Sequence, residues 1–446
     1  MKVMKFGGTS VGKPQRMQDV ATLITADNSP KIVVLSAVSG TTNALVEISE
    51  LLANGERTVA KQRIDLLEKQ YRVFIKELVN TDTLESAEKV LTEHFEFLNI
   101  ILKISHSEAL SKDILSQGEL LSSKLFSVYL TQEGIKHKLL PALEFMTIDG
   151  NDEPQIGNIR VKLMQQLKAA EAHDLFITQG FICRNAKGEV DNLKRGGSDY
   201  SASLIAAAID ASLCEIWTDI NGMHNNDPRI VPNTVPVEKL SFDEAAELAY
   251  FGAKILHPAS IWPAQQFNIP VKLLNTMEPH AGGTLITGNT FSDGAKAIAA
   301  KDGITAIRIR SSRMLLAYGF LRKVFEIFEK YRTSIDMVTT SEVAVSVTID
   351  NTAGIREIIK ELEALGTVEV EGEQTIISIV GDKIATDEDI LSTIFQCLKG
   401  IDIRMISYGG SEHNISVLVA ANKKIPVLQA LNVGLFKRPA PQGESR

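Results

Sequence analysis

The sequence predicts an α/β protein, a mainly parallel sheet sandwiched by helices, followed by a C-terminal α+β region of two similar modules. Three observations predict it. Short apolar, β-branched runs that end on glycine or polar residues alternate with helical stretches over roughly the first two thirds of the chain, which is the pattern of strand–helix–strand units. The first such run ends in Lys5-Phe6-Gly7-Gly8-Thr9-Ser10, a cation beside paired glycines and hydroxyls. After about Asp302 a helical stretch, an Ile-x-Met-[Val/Ile] run, a Ser-Glu pair and an alternating strand occur twice.

The opening run points to phosphate chemistry. Adjacent glycines let backbone N–H groups approach an anion, Lys5 supplies a fixed positive charge, and Thr9 and Ser10 add small donors. Gly7, Gly12 and Lys13 also satisfy G-x-x-x-x-G-K, but Pro14 replaces the Ser or Thr that would hold Mg²⁺ and biases Lys13 away from helical geometry. A plain glycine turn is the bland alternative.

Lys31–Ser36 reads as a buried strand, Ala37–Asn43 as a polar loop, and a helix follows from about Ala44. Arg57 to Glu133 is amphipathic and rich in Leu, Glu and Lys, which reads as a helical insertion or lid. Asp174–Ile182 and Leu213–Asp219 read as further strands, with the Ala-rich Ser201–Ala211 as a helix between them. Ligands on parallel sheets sit beyond the carboxyl ends of the strands. Lys5–Gly8, the loop after Ser36, Gln179-Gly180 and Thr218-Asp219 all fall at such ends, so one shared site is expected.

In the C-terminal repeat, Phe325 matches Phe395, Met337 matches Met405, and Ser341-Glu342 matches Ser411-Glu412, at offsets of 68 to 70 residues. The expected organisation is an α/β domain over 1–295 with the helical insertion at 57–133, a first module over 303–380 and a second over 381–440. A chain of 446 residues is too long for one core. Its 47 Lys plus Arg against 55 Asp plus Glu argue against a broad nucleic-acid face and favour small anions as ligands. No apolar run approaches the ~18 residues of a membrane span, and Met1–Lys5 reaches glycine too soon for a secretory signal. A cytoplasmic protein is expected. Cys183, Cys214 and Cys397 have no spacing for zinc or a disulfide framework and read as packing residues.

A second cluster, Lys194-Arg195-Gly196-Gly197-Ser198-Asp199, precedes the Ala-rich helix, expected to begin near Tyr200. Arg195 could grip a carboxylate bidentately, Ser198 could cap the helix, and Asp199 could pair with Lys5. The same residues also read as a plain cap and a solvated charge. Trp217–Arg229 becomes a turn-rich loop offering Arg229 for phosphates and His224 as a flat ring for a purine, or as a hydrogen-bonded surface histidine. Phe251–Pro258 supplies Lys254 after glycine. Gln117-Gly118-Glu119 places a carboxylate at a helical start, where capping is the alternative.

Taken together, Lys5–Val11, Gly118-Glu119, Arg195–Asp199, Trp217–Asp219, Asp227–Arg229 and Phe251–Pro258 stand in the order and spacing of the aspartokinases, and nearly the whole chain resembles the monofunctional, lysine-regulated type. The resemblance implies an amino-acid-kinase catalytic domain and two ACT (ferredoxin-like) modules, consistent with the repeat. It implies ATP-dependent phosphorylation of the L-aspartate side chain to 4-phospho-L-aspartate, on the route to lysine, threonine and methionine. Thr42, Glu119, Arg195, Gly196, Gly197 and Ser198 would contact aspartate. Lys5, Gly7, Gly8, Thr218, Asp219, His224, Arg229, Lys254 and Ile255 would hold ATP, with Lys5 and Asp199 nearest the transfer; His224 stands where relatives commonly have tyrosine. Met314, Ser334, Asp336, Thr340, Ser341, Glu342 and Val343 fit the L-lysine effector pattern, while Ala317 replaces a serine. Mg²⁺ would accompany ATP with no protein side chain named as its ligand, and ACT modules imply a homodimer or higher homo-oligomer.

This chemistry suits the residues. A carboxylate with a pKa near ~4 is already a nucleophile at neutral pH, so catalysis becomes positioning and charge neutralisation. A related enzyme acting on another carboxylate or carbamate, a non-catalytic amino-acid sensor, and a fusion to a dehydrogenase are the competing readings. Glu119 and the Arg195 segment argue against the first, the set Lys5, Asp199 and Lys254 against the second, and the end at Arg446 against the third.

Overall fold

A computed structural model describes residues 1–193, 196–252, 256–291, 294–314 and 318–436. The chain forms two compact units. The first holds Met1–Met223, Glu238–Phe242 and the stretch ending at Asn289; the second holds His224–Val237, the stretch beginning at Asp243 and the part from Thr290 onward.

The strands of the first unit are β1 (Lys2–Phe6), β2 (Lys31–Leu35), β3 (Lys138–Leu140), β4 (Leu175–Gln179), β5 (Ile182–Arg184), β6 (Val190–Asn192), β7 (Cys214–Thr218), β8 (Lys239–Ser241), β9 (Val271–Asn275) and β10 (Thr284–Thr287). Its helices are α1 (Pro14–Thr25), α2 (Thr41–Ala53), α3 (Arg57–Leu78), α4 (Thr81–Ile101), α5 (Glu108–Gln132), α6 (Ala142–Phe145), α7 (Ile156–Ala169) and α8 (Gly197–Ala208). Helix α9 (Phe242–Tyr250) leads into the second unit, and α10 (Pro258–Gln266) returns to the first.

Eight strands form one sheet in the order β3-β4-β2-β1-β7-β9-β10-β8. The strands from β3 through β9 pair in parallel, and only β10 runs antiparallel to its neighbour β9. Strands β2 and β4 are buried at every position, as a parallel sheet covered on both faces requires. Met4, Phe6, Val33 and Leu35 share a core with Met17 and Ile24 of α1, Ile48 of α2, Ile64 and Tyr71 of α3, Phe95 of α4 and Leu125 of α5. Helix α8 packs against α10, α7 and β1, and its run of buried alanines is what lets those helices approach.

Local expectations about helix starts need correction. Helices α2 and α8 begin at Thr41 and Gly197, earlier than the apolar pattern suggested, because Gly40 (φ 84°) and Gly196 (φ 65°) take left-handed conformations and turn the chain into each helix. Ser198 lies inside α8, whose N-cap is Gly196 with no side-chain cap, so it is not the capping residue. Gln117-Gly118-Glu119 falls within α5 and not at a helical start. Pro14 occupies the first turn of α1 after an extended Lys13 (φ −138°, ψ 152°), the place where its missing N–H costs nothing.

The second unit contains β11 (Gly294–Arg310), α11 (Phe320–Lys330), β12 (Val338–Thr340), β13 (Ala344–Ile349), α12 (Ile355–Glu363), β14 (Thr367–Asp382), α13 (Glu388–Cys397), β15 (Met405–Ser407), β16 (Asn414–Ala420) and α14 (Lys424–Leu435). They build one antiparallel sheet, ordered β12-β13-β11-β14-β16-β15. The repeat is visible as β12-β13 and β15-β16 on opposite sides of a central pair, β11 and β14. Both central strands serve two cores. Ile307 and Ile309 pack with Val324, Phe328, Val345 and Ile358, whereas Ile298, earlier on β11, packs with Ile379, Ile394, Ile415 and Val427. The second core thus draws on the first half of β11, a strand segment that precedes the one serving the first core.

Candidate active site

The carboxyl ends of β4, β2, β1, β7 and β9 lie side by side: Gln179 is in register with Leu35, Leu35 with Phe6, Phe6 with Trp217, and Thr218 with Asn275. The loops leaving them are stitched together by Gly180 N–H to Leu35 O (2.9 Å), Ser36 N–H to Phe6 O (3.2 Å) and Thr276 N–H to Thr218 O (2.8 Å). Ser10 and Thr276 share a buried hydroxyl hydrogen bond of 2.7 Å, which pins the Gly7-Gly8 loop to the end of β9 across a separation of 266 residues that no local pattern bridges.

On this edge Lys5 Nζ lies 2.6 Å from Asp199 Oδ1, with side chains 11% and 17% exposed, so the pairing expected from sequence forms. Lys5 comes from the penultimate position of β1 and Asp199 from the first turn of α8. Asp199 also lies where an acidic group is favoured by the helix dipole. Mutual attraction in a partly dehydrated setting fixes the ammonium beside Gly7, where a Cβ would stand 3.3 Å from Lys5 Nζ.

Glu119 is buried in α5. Its Oε1 accepts from the Ala37 N–H at 3.3 Å, and Oε2 has no partner among the described residues. Burial pushes its carboxyl up to about 7, against the opposing pull of backbone hydrogen bonds. The close seat of α5 on the loop after β2 depends on Gly118, where a Cβ would stand 2.8 Å from the Ala37 methyl. Thr41, which opens α2 after that loop, shares a 2.7 Å hydroxyl hydrogen bond with Tyr71 of α3; Thr42, half-buried, follows Thr41 in α2.

Gln179 is held from both ends, accepting from Ala142 N–H at 2.8 Å and donating to Ser123 Oγ at 2.7 Å. The next residue, Gly180, faces Ser198: a Cβ there would lie 2.8 Å from Ser198 Cα and overlap its side chain. Gly180→Ala is therefore expected to push α8 off the sheet and lower the unfolding midpoint of this unit by about 5 °C. A thermal scan with an unchanged midpoint would show that the contact has slack.

Thr218 donates to Asp219 Oδ1 at 3.2 Å, and Asp219 is exposed at the end of β7. Thus Lys5, Gly7, Gly8, Thr218, Asp219, Gly196, Gly197, Ser198 and Asp199 all fall at strand ends or helix starts along the same edge. Arg195, Lys254 and Ile255 lie outside the described residues, as does Ala317. His224 and Arg229 belong to the second unit. There His224 Nδ1 shares a 3.0 Å hydrogen bond with Thr234 Oγ1, and partial burial lowers the imidazole pKa. The exposed Arg229 guanidinium folds back on Asp227, with Nε and Nη2 donating at 2.9 and 2.8 Å to its two oxygens.

The residues expected to hold an effector also lie in the second unit. Met314 packs on the first of its cores, Ser334 and Asp336 lead into β12, and Thr340 to Val343 form the β12–β13 turn, closed by Ser341 N–H to Ala344 O at 2.8 Å.

Comparison with known proteins matches residues 1–275 to the model of the amino acid kinase family and residues 377–434 to an ACT domain. The lysine-sensitive aspartokinase 3 of Escherichia coli is 35% identical over 98% of this chain and 99% of its own. The crystal structure of E. coli aspartokinase III with aspartate and ADP superposes with a TM-score of 0.83, covering 98% of this chain and 100% of that one. Its complex with lysine and aspartate gives 0.82 at 34% identity, with the same coverage. With its parallel sheet, its cation and glycines at the strand ends and its paired C-terminal modules, the chain belongs to the amino acid kinase family, as one of the aspartokinases that carry ACT domains.

Proposed function

We infer that the protein transfers the γ-phosphoryl group of ATP to the side-chain carboxylate of L-aspartate, giving 4-phospho-L-aspartate and ADP. The observation that carries this reading is the Lys5–Asp199 pair held at 2.6 Å beside Gly7-Gly8 on the carboxyl edge of the sheet. The attacking oxygen is a carboxylate with an ordinary pKa near ~4, so no general base is needed. The bond from the γ-phosphorus to the β,γ-bridging oxygen breaks as the bond to the aspartate oxygen forms, and the charge that spreads over the phosphoryl oxygens is met by the Lys5 ammonium. Asp199, already committed to Lys5, orients that ammonium and takes no proton. Gly7 and Gly8 leave room for phosphate oxygens at the backbone, and Thr218 and Asp219 extend the nucleotide side of the edge. Thr42, Glu119 and Gly196–Ser198, with Arg195, would hold aspartate, Glu119 as a carboxylate facing the substrate's ammonium. Lys254 and Ile255, with His224 and Arg229, complete the nucleotide set by resemblance.

Mg²⁺ would add charge neutralisation at the phosphates. Such an ion would be held mostly by nucleotide oxygens and water.

L-lysine is the proposed effector, taken by Met314, Ser334, Asp336 and the Thr340–Val343 turn. Pairing of two copies through the C-terminal modules is supported by the exposed Leu321 and Phe325 on α11, and a cytoplasmic setting by the free thiols of Cys183 and Cys214. No helix among the described residues is long and apolar enough to cross a membrane.

A coupled assay of ADP release across aspartate, glutamate, N-acetylglutamate and carbamate, then with lysine added, tests the reading. Turnover with aspartate alone and its suppression by lysine are expected. Absence of aspartate-dependent ADP release would overturn it.

A further inference from the structure

Strand β11 places Lys301 against Asp336 in the second unit. Lys301 Nζ lies 2.6 Å from Asp336 Oδ1, and the Tyr250 hydroxyl donates to the same oxygen at 2.8 Å. The Asp336 side chain is 1% exposed, and its other oxygen, Oδ2, is buried with no partner among the described residues. Lys301 has a second carboxylate, Asp350 Oδ2, at 2.9 Å, and its ammonium also sits 4.7 Å from the centre of the Tyr250 ring.

A buried carboxylate demands a cation, and the cation present is the side-chain ammonium of a lysine, the same group that free L-lysine carries. We propose that Lys301 is a tethered stand-in for the effector: free lysine binds by placing an ammonium on Asp336, displacing Lys301 to Asp350 and breaking the Tyr250 hydrogen bond. This rests on the reading of lysine as effector and names the exchange through which that site works. Asp350 makes the exchange affordable, since the displaced ammonium keeps an ion pair. The Oδ2 lone pairs, without a partner among the described residues, give an incoming ammonium a place to begin.

The exchange reaches beyond the effector. Tyr250 ends α9, and Phe251 packs edge-on against it with ring centres 4.9 Å apart. Gly252 (φ 131°) rests on the backbone of Ala300, where a Cβ would stand 2.9 Å from the carbonyl carbon. Strand β11 therefore grips residues 250–252 at two adjacent points, Ala300 and Lys301, just before Lys254 in the sequence. An effector acts only by preferring one arrangement over another. Here the two arrangements are Asp336 bonded to Lys301 and Tyr250, and Asp336 bonded to the ligand.

The test is lysine titration of the full chain by ADP-release assay and by calorimetry, in wild type, Lys301→Met, Tyr250→Phe and Asp336→Asn. Lys301→Met and Tyr250→Phe each remove a competitor for Asp336, so each is expected to lower both the half-inhibitory lysine concentration and the Kd, by about tenfold for the charged partner and severalfold for the hydroxyl. Asp336→Asn is expected to abolish binding. Unchanged or weaker lysine binding in Tyr250→Phe and Lys301→Met, with wild type inhibited, would overturn the exchange and leave the effector reading standing. Should Lys301→Met not fold, Tyr250→Phe alone decides. A wild type that neither binds lysine nor responds to it would remove the effector reading and the exchange with it.

Discussion

Replacing Lys5 by methionine is expected to lower kcat by about a thousandfold, the scale seen when a preorganised donor to a developing charge is removed. The KM for aspartate should change little. The Lys5 ammonium is the fixed positive charge at the end of β1, 89% shielded and aimed by Asp199 at 2.6 Å, so no solvent cation substitutes for it at the same place. Stability changes too, because the variant leaves the Asp199 carboxylate partly buried without its cation, at a cost of about 2–3 kcal/mol. The double variant Lys5→Met/Asp199→Asn removes that orphaned charge. It should recover most of the lost stability while remaining inactive, which separates the electrostatic role from a merely structural one. Urea unfolding and steady-state kinetics on the three proteins check this, and substantial turnover by Lys5→Met would dismiss Lys5 as the group facing the phosphoryl oxygens.

Glu119→Gln is expected to raise the KM for aspartate about a hundredfold with the KM for ATP unchanged, the scale of losing a charge-assisted hydrogen bond in a buried site. The pH dependence carries the sign. Burial holds the Glu119 carboxyl up at about 7 in the ligand-free protein, whereas the unfolded chain ionises it near ~4.5. The folded state keeps a proton that the unfolded state releases, so this group's contribution to stability falls as pH rises from about 4.5 to about 7 and is level above that. Glu119→Gln should therefore match wild type in stability at pH 4.5 and exceed it by up to about 3 kcal/mol at pH 8. Aspartate binding runs the other way. An ammonium needs the ionised carboxylate, so the wild-type KM for aspartate should fall tenfold per pH step below 7 and flatten above it, a dependence absent from the variant. A KM profile for aspartate that is flat from pH 5.5 to 7 would detach Glu119 from the substrate's ammonium.

Some of this was legible in the chain itself. Local signals marked β1, β2, β4 and β7 because a buried parallel strand must be a continuous apolar run, and Lys5-Phe6-Gly7-Gly8 advertised its chemistry because cation and glycines are adjacent in sequence. The C-terminal repeat was legible as pattern. The starts of α2 and α8 were not, since they depend on left-handed glycines at Gly40 and Gly196, a backbone choice that composition permits and packing selects. Nor was the place of Glu119, expected at a helical start, because α5 runs through Gln117-Gly118-Glu119 and the glycine serves the contact with Ala37.

What the sequence by itself determined, then, is the inventory: which residues can form strands, which charges and glycines sit next to one another, and that two similar modules follow the kinase portion. Only the tertiary structure decided which distant groups meet. It ties Ser10 to Thr276 and Ala37 to Glu119, lends the first half of β11 to the second C-terminal core, and places Lys301 on Asp336 beside Tyr250. The reason is physical. Propensity and periodicity act over a few residues, whereas burial, ion pairing and strand register are settled between segments tens to hundreds of residues apart, where no local pattern records the partner.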